Sequence, residues 1–222
     1  HECTRPENRT RPWTNRQGCL PAFSLLNLRS RAIKLHEYQA RELLQAYGIT
    51  VPQGQVAETA AQAGQAAAQW SNGAVVKGQV LTGGRGKAGA IKVVASAAEA
   101  RAEAKRIIGM TVKDLPVNKV LVTEKINIAS EYYLGVTVDR EAKAAVLILS
   151  AAGGMDIEEV AATAPEKIHL LTFSANPSTA ELLAWLARSF ADKDQLTQAV
   201  PIVEALVKLF REKDCSLVEI NP

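Results

Sequence analysis

Apolar positions recur along this chain with two periods, and the switches between them predict its elements. Ala40, Leu43, Leu44 and Tyr47 fall on one face of a helix that opens near Leu35, with Gly48 as a natural stop. Val51-Pro52 begins an extended link, and the alanine-rich stretch from Glu58 to Trp70 reads as a second helix. An apolar run ending in Lys77 reads as a buried strand, and Ile91, Val93 and Val94 start another. Ser96, with Glu99 three residues on, forms a capping box for a helix that runs to Ile108 before Gly109. Lys119 to Glu124 reads as a strand, and Glu131 to Val138 with Lys143 to Ser150 reads as a hairpin turned at Asp139-Arg140-Glu141-Ala142. Gly153-Gly154 interrupts the chain, and Asp156 stands where it can cap a short helix through Ala162. A strand from Ile168 to Phe173 and a helix from Ser178 to Phe190 come next. A helix from about Asp194 to Arg211 presents Val203, Leu206, Val207 and Phe210 on one face, and Ser216 to Ile220 is a final strand. Helices alternate with strands while one stretch is a meander, which predicts an α/β chain with mixed sheets.

Composition narrows the class. At 222 residues the chain can build one large domain or two small ones, and it holds no apolar run long enough to span a bilayer. Cys3, Cys19 and Cys215 show neither metal-ligand spacing nor an even-numbered framework, so a reduced, cytoplasmic setting is expected. The net charge of +3 misleads: residues 1–32 carry six Arg against Glu2 and Glu7 and contribute +4, leaving −1 for the rest. A near-neutral body argues against nucleic acid or a membrane surface as partner. Residues 1–32 themselves, rich in Arg, Pro, Asn and Thr and without an initiating Met, read as a mitochondrial transit segment, a disordered basic arm, or upstream sequence translated in frame. Pro6, Pro12 and Pro21 oppose the amphipathic helix a transit segment needs, which favours the third reading.

Candidate chemistry concentrates in Lys77-Gly78-Gln79-Val80-Leu81-Thr82-Gly83-Gly84-Arg85-Gly86-Lys87-Ala88-Gly89. Glycines bring backbone N–H groups close to a ligand, and Lys77, Arg85 and Lys87 supply positive charge, a combination suited to a polyphosphate. Gly84 to Gly89 formally satisfies G-x-G-x-x-G, but that motif needs a helix opening at the loop, and the β-branched Ile91, Val93 and Val94 predict a strand instead. The P-loop pattern fails because Leu81 stands where its first Gly belongs and Ala88 where its Ser or Thr belongs. An ordinary glycine-rich hairpin is the bland alternative.

Glu219 and Asn221, two apart on a strand, share a face, and a carboxylate beside an amide oxygen can ligate Mg²⁺. Two polar residues on an exposed strand are the competing reading. Glu124 and Glu131 bracket the connection between two strands, where they could bond an adenine amine or ribose hydroxyls or simply be solvated strand ends. No nucleophile–base set stands out, so no residue is assigned as catalytic; His36 and His169 are isolated, and His1 lies in the excluded arm.

Assembled in order, these blocks resemble the β-subunit family of succinyl-CoA synthetase, the ADP-forming succinate–CoA ligase. Lys34-Leu-His-Glu-Tyr-Gln-Ala-Arg-Glu-Leu-Leu44 is similar to the family's opening, with Ile33 where its initiator Met is expected. Val76-Lys-Gly-Gln-Val80, Gly83 to Gly89, Glu131-Tyr-Tyr-Leu-Gly135, Val138-Asp-Arg140, Gly153 to Val160 and Leu217-Val-Glu-Ile-Asn-Pro222 match later blocks, so the resemblance covers residues 33–222.

The resemblance implies an ATP-grasp fold over 33–222, in which two α+β subdomains with mixed or antiparallel sheets clasp a nucleotide. Residues 1–32 form a separate extension. By the same likeness Lys77, Gly84, Arg85 and Gly86 contact phosphates, Thr123, Glu124 and Ile126 line the adenine, and Glu131 binds on the ribose side. Thr123 departs from a Glu often found there, with Glu124 next to it. Asn221 would ligate one Mg²⁺ with Glu219 beside it.

The family reaction is reversible: succinate, CoA and ATP give succinyl-CoA, ADP and phosphate, by way of succinyl phosphate and a histidine on a partner α subunit. No histidine of this chain is that carrier. A second metal carboxylate and a C-terminal ligase domain are expected past Pro222, so the chain reads as a fragment that binds nucleotide without completing the reaction. Malate–CoA ligase and the citrate-cleaving synthetases share this domain, and Pro52 leans towards ATP over GTP. A nucleotide-sensing scaffold subunit is the alternative from another class, opposed by Lys77, Arg85, Glu219 and Asn221. A dehydrogenase would require a helix after Gly89.

Overall fold

The computed structural model describes residues 33–154 and 156–220. The reading of residues 1–32 and the Asn221 metal assignment lie outside them.

From Lys34 onward the chain builds two four-stranded antiparallel sheets, each with its own helices. The first contains β1 (Gly54–Ala57), β2 (Ala74–Gly78), β3 (Ile91–Val94) and β6 (Val120–Glu124) in the spatial order β1-β6-β2-β3. One face is covered by α2 (Ala60–Ala67) and α3 (Ala97–Ile107), through a core of Ala63, Ala66, Ala67, Ala100 and Ala104 against Val76, Val122 and Ile107. Small side chains let these helices approach closely: a Cβ on Gly64 would stand 3.1 Å from the Ala97 carbonyl. That close approach is the use of the alanine-rich composition. Both helices start at side-chain caps, with Thr59 accepting from the Gln62 amide and Ser96 from the Glu99 amide. Thr59 is why α2 begins two residues later than the alanine run suggests.

The glycine-rich stretch joins β2 to β3, which pair antiparallel with Lys77 opposite Ile91. A strand follows Gly89, and the helix that a dinucleotide fold requires at this loop is not there.

The second sheet has the order β10-β7-β8-β9, from β7 (Tyr133–Asp139), β8 (Ala144–Ser150), β9 (Ile168–Phe173) and β10 (Leu217–Ile220). Alternation divides its faces. Leu134, Val136, Leu147 and Leu149 pack against α5 (Thr179–Leu186) and α6 (Lys193–Glu212), joined by Leu44 of α1 (Glu37–Ala46). Tyr133, Val146 and Ile148 point the other way, against Ile157 and Val160 of α4 (Ile157–Thr163). The β7–β8 turn is closed by the Asp139 carboxylate, which accepts from the Glu141 and Ala142 amides.

Several boundaries differ from expectation for local reasons. Helix α5 stops at Leu186, and 187–189 continue as turns in which the Arg188 and Ser189 amides donate to the Trp185 and Leu186 carbonyls. Helix α6 runs through Pro201, because Val200, Val203, Leu206 and Val207 bury its inner face. Two short strands, β4 (Thr111–Val112) and β5 (Leu115–Pro116), form a hairpin that the apolar pattern does not announce. Its two turn residues, Lys113 and Asp114, both have positive φ. Strand β10 pairs only with β7 among the described residues.

Candidate nucleotide-binding site

Strand periodicity turns Lys77 away from the alanine core. Val76 and Val122 face the helices, so Val75, Lys77, Leu121 and Thr123, which pair across β2 and β6, share the opposite face. The loop after Lys77 is folded on itself: the Ala88, Gly89 and Ala90 amides donate to the Gly84, Gly86 and Arg85 carbonyls. Gly84 has φ +78°, a left-handed conformation that favours glycine, and the Lys113 side chain lies 3.4 Å from where its Cβ would stand. Nothing within 4 Å would meet a Cβ on Gly83 or Gly86. Packing within the chain therefore does not explain glycine at those two positions, and the backbone there is open to close approach.

The loop cations are paired in the structure. Lys77 Nζ lies 3.0 Å from Glu37 Oε1, and Arg85 Nη1 lies 2.7 Å from Glu37 Oε2 and donates to the Gly78 carbonyl at 3.2 Å. Burial of Glu37 pushes its carboxyl upward, but the neighbouring Lys77 and Arg85 outweigh that and hold it below the ordinary carboxylate value. Glu37 sits in the first turn of α1, and sequence reasoning missed it. Its signal is only that of an acid at a helix start, whereas its partners lie 40 and 48 residues away. Gln79, also missed, is buried and ties the same corner together: its carbonyl accepts from the Tyr38 amide, and its Nε2 donates to the Lys77 carbonyl.

Lys87 points elsewhere. It bonds Asp156 at 3.3 Å and Glu159 at 3.0 Å, at the start of α4. Asp156 makes no side-chain capping bond, so the cap expected of it is replaced by this contact. The glycine loop thus touches the helix that covers the Tyr133 face of the second sheet.

Thr123 is buried on β6, on the Lys77 side of the sheet. Glu124, at the end of that strand, accepts the Gln53 amide at 2.7 Å and fixes the entry to β1. Ile126 lies in the connection between the sheets and is half exposed, as is Ile128, an apolar edge unusual for so short a link. Glu131 ends that connection and rests on the Gly153-Gly154 turn: the Gly153 amide donates to its carbonyl, and a Cβ on Gly154 would stand 2.4 Å from its Oε2. The glycine pair is what lets the chain pass beneath Glu131.

Glu219 lies on β10 opposite Gly135, and its Oε2 accepts from Tyr133 Oη at 2.8 Å. Tyr133 is buried, and its ring crosses Gly135 so closely that a Cβ there would stand 2.9 Å from the phenol oxygen. Burial and the Glu219 carboxylate push the phenol well upward, so it remains a hydrogen-bond donor throughout the working pH range. A carboxylate held in place by a donor is a hard oxygen ligand of the kind Mg²⁺ prefers. No group of three or more His, Cys, Asp or Glu that could hold a metal ion occurs among the described residues.

The chain is similar to known proteins in both sequence and fold. It is 46% identical over 196 residues to the succinate–CoA ligase [ADP-forming] subunit beta of Bacteroides thetaiotaomicron, covering 86% of this chain and 51% of that one. It is 42% identical over 191 residues to the succinate–CoA ligase [GDP-forming] subunit beta of Thermus thermophilus, covering 86% and 50%. The chain thus spans about half the length of these relatives. Among solved structures, the dinucleotide forming acetyl-coenzyme A synthetase 1 of Ca. Korarchaeum cryptofilum superposes with a TM-score of 0.69 at 17% identity, over 85% of this chain and 86% of that one. ATP citrate lyase from Methanothrix soehngenii gives 0.63 at 18% identity, over 85% and 46%. At such identities these likenesses speak for the fold. The profile of the ATP-grasp domain matches residues 34–222, and the chain belongs to that family.

Proposed function

We propose that this chain is the nucleotide-holding part of the β subunit of a succinate–CoA ligase. The whole enzyme would convert succinate, CoA and ATP reversibly to succinyl-CoA, ADP and phosphate, with an α subunit supplying the histidine that carries the phosphoryl group. The observation that supports this best is the convergence of Lys77 and Arg85 beside the open backbone at Gly83 and Gly86. The likeness of 46% to a named ligase subunit points to the substrate class.

In this reading the chain positions the nucleotide and neutralises its charge. Lys77 and Arg85 take the phosphate oxygens, with the amides of Gly84 to Gly86 as a further anion cradle. Thr123, Glu124 and Ile126 border the base; at Glu124 the carboxylate accepts from the Gln53 amide and the amide donates to the Gln53 carbonyl, which fixes that border in place. Glu131, seated on its glycine turn, takes the ribose side. Glu219, oriented by Tyr133, and Asn221 would hold one Mg²⁺, which when bound neutralises phosphate charge and orients the terminal phosphoryl group. Among the described residues, no helix is long and apolar enough to cross a membrane.

Calorimetric titration of the chain with Mg-ATP, Mg-GTP and NADH tests the reading. Saturable binding of a nucleoside triphosphate with NADH silent is expected. Binding of NADH with both triphosphates silent would overturn it.

A further inference from the structure

We propose that Glu37 is the positioning residue of the phosphate clamp: its carboxylate holds the Lys77 ammonium and the Arg85 guanidinium side by side, so that an incoming polyphosphate meets two cations already gathered. This rests on the nucleotide reading above and adds to it a residue that touches no phosphate itself.

Four observations carry the inference. Each oxygen of Glu37 serves one cation, at 3.0 and 2.7 Å, so a single carboxylate fixes the spacing of the pair. The side chains are only 19–25% exposed, where two like charges without an intervening carboxylate repel more strongly than they would in water. The acids that the loop meets through Lys87, Asp156 and Glu159, are engaged by that lysine and not by Lys77 or Arg85.

The fourth observation is that Glu37 cannot readily swing away. The start of α1 is tied to the buried Gln79 through the Tyr38 amide, and Gln79 in turn donates to the Lys77 carbonyl. The far end of α1 is anchored in the other core, through Leu43, Leu44 and Tyr47. One short helix therefore references the phosphate cations to the second sheet. When a polyphosphate binds, Lys77 and Arg85 exchange part of their bonding from the carboxylate to phosphate oxygens without first having to be brought together.

Neutralising Glu37 has two opposed consequences, and this makes the test sharp. It raises the charge of the trio from +1 to +2, which alone would tighten anion binding. It also frees the two cations to separate, which loosens it. The placement role predicts that the second effect wins. Glu37→Gln and Glu37→Asp, each checked by a thermal melt, are titrated with Mg-ATP and with inorganic tripolyphosphate beside the unaltered chain. Glu37→Gln is then repeated in a Lys77→Ala background.

Glu37→Gln is expected to weaken both ligands about tenfold or more. Glu37→Asp, which keeps the charge but shortens the reach, should weaken them by a smaller factor. In the Lys77→Ala background the further loss should shrink to within about twofold, since with Arg85 alone there is no pair left for Glu37 to hold together. Binding unchanged or tighter in a folded Glu37→Gln variant would overturn the proposal, and so would full additivity with Lys77→Ala. Failure of both variants to fold would make Glu37 a folding element instead and would equally refute the positioning role. Absence of Mg-ATP binding by the unaltered chain would refute the nucleotide reading, and this inference with it.

Discussion

One methyl group separates the two uses of glycine in this chain. In Gly153→Ala the new Cβ would stand 2.4 Å from the Glu131 carbonyl carbon, 2.5 Å from the Tyr132 amide nitrogen and 2.7 Å from Glu131 Cβ. Carbon atoms in contact normally sit at about 3.5–4.0 Å, so roughly 1 Å must be made up by backbone on one side or the other. The obstacle is main chain, not the far end of a flexible side chain, and the Gly153 amide bond to the Glu131 carbonyl is lost as the two segments part. Overpacking of this kind costs about 1–3 kcal/mol and the hydrogen bond about 1 kcal/mol more. The expected loss is therefore about 2–4 kcal/mol. For a domain of this size that lowers the melting midpoint by roughly 4–16 °C.

Gly86→Ala is the control. Nothing lies within 4 Å of its Cβ, so its melting midpoint should stay within about 2 °C, while Mg-ATP binding falls if a phosphate approaches the backbone there. Paired thermal melts and Mg-ATP titrations on the two variants read both quantities. An unshifted melt for Gly153→Ala would refute the packing of Glu131 on its glycine turn. A large shift for Gly86→Ala would refute the open loop.

Lys77→Ala leaves Glu37 with Arg85 alone; discounted for partial exposure, the stability loss should be about 1–2 kcal/mol in urea melts, with Mg-ATP affinity reduced at least tenfold. The Glu37 carboxyl is held below its ordinary value of 4.5, so its contribution to stability is complete above that pH and is lost as pH falls through the lower, folded value. Urea midpoints followed downward from pH 6 should therefore drop more steeply in the unaltered chain than in Glu37→Gln, and equal slopes would contradict the pairing. Tyr133→Phe removes the donor on Glu219 without changing ring volume; the Mg²⁺ concentration needed for half-maximal ATP binding should rise several-fold while the melt moves by about 3 °C or less. An unchanged Mg²⁺ requirement would detach Glu219 from the metal.

What could be read from the sequence was what depends on neighbours along the chain. The β-branched residues after Gly89 correctly predict a strand in place of a helix, and the four apolar positions on one face of α6 predict its burial. Ser96 and Ser178 start their helices by bonds three residues long. The misses have physical causes of two kinds. Strand β1 is only four residues long, too short for its pattern to separate it from an extended link, and the β4–β5 hairpin turns at Lys113-Asp114, where no glycine or asparagine marks the positive φ. The other kind is contact across distance. Glu37, Gln79 and Tyr133 acquire their roles from partners 40 or more residues away, and no local pattern records such a partner. Glu124 illustrates the same limit. Its position at a strand end is legible, whereas the bond by which its carboxylate holds the entry to β1 joins residues 71 apart and is not.

The proposed function requires a polyphosphate to lie against Lys77, Arg85 and the backbone of Gly84 to Gly86. The most direct test is an experimental structure of the chain with Mg²⁺ and a non-hydrolysable ATP analogue. Phosphate oxygens are expected within hydrogen-bonding distance of Lys77 Nζ and of the loop amides, with the base beside Thr123 to Ile126. A nucleotide seated elsewhere, or one whose phosphates face away from the Glu37-held pair, would contradict it.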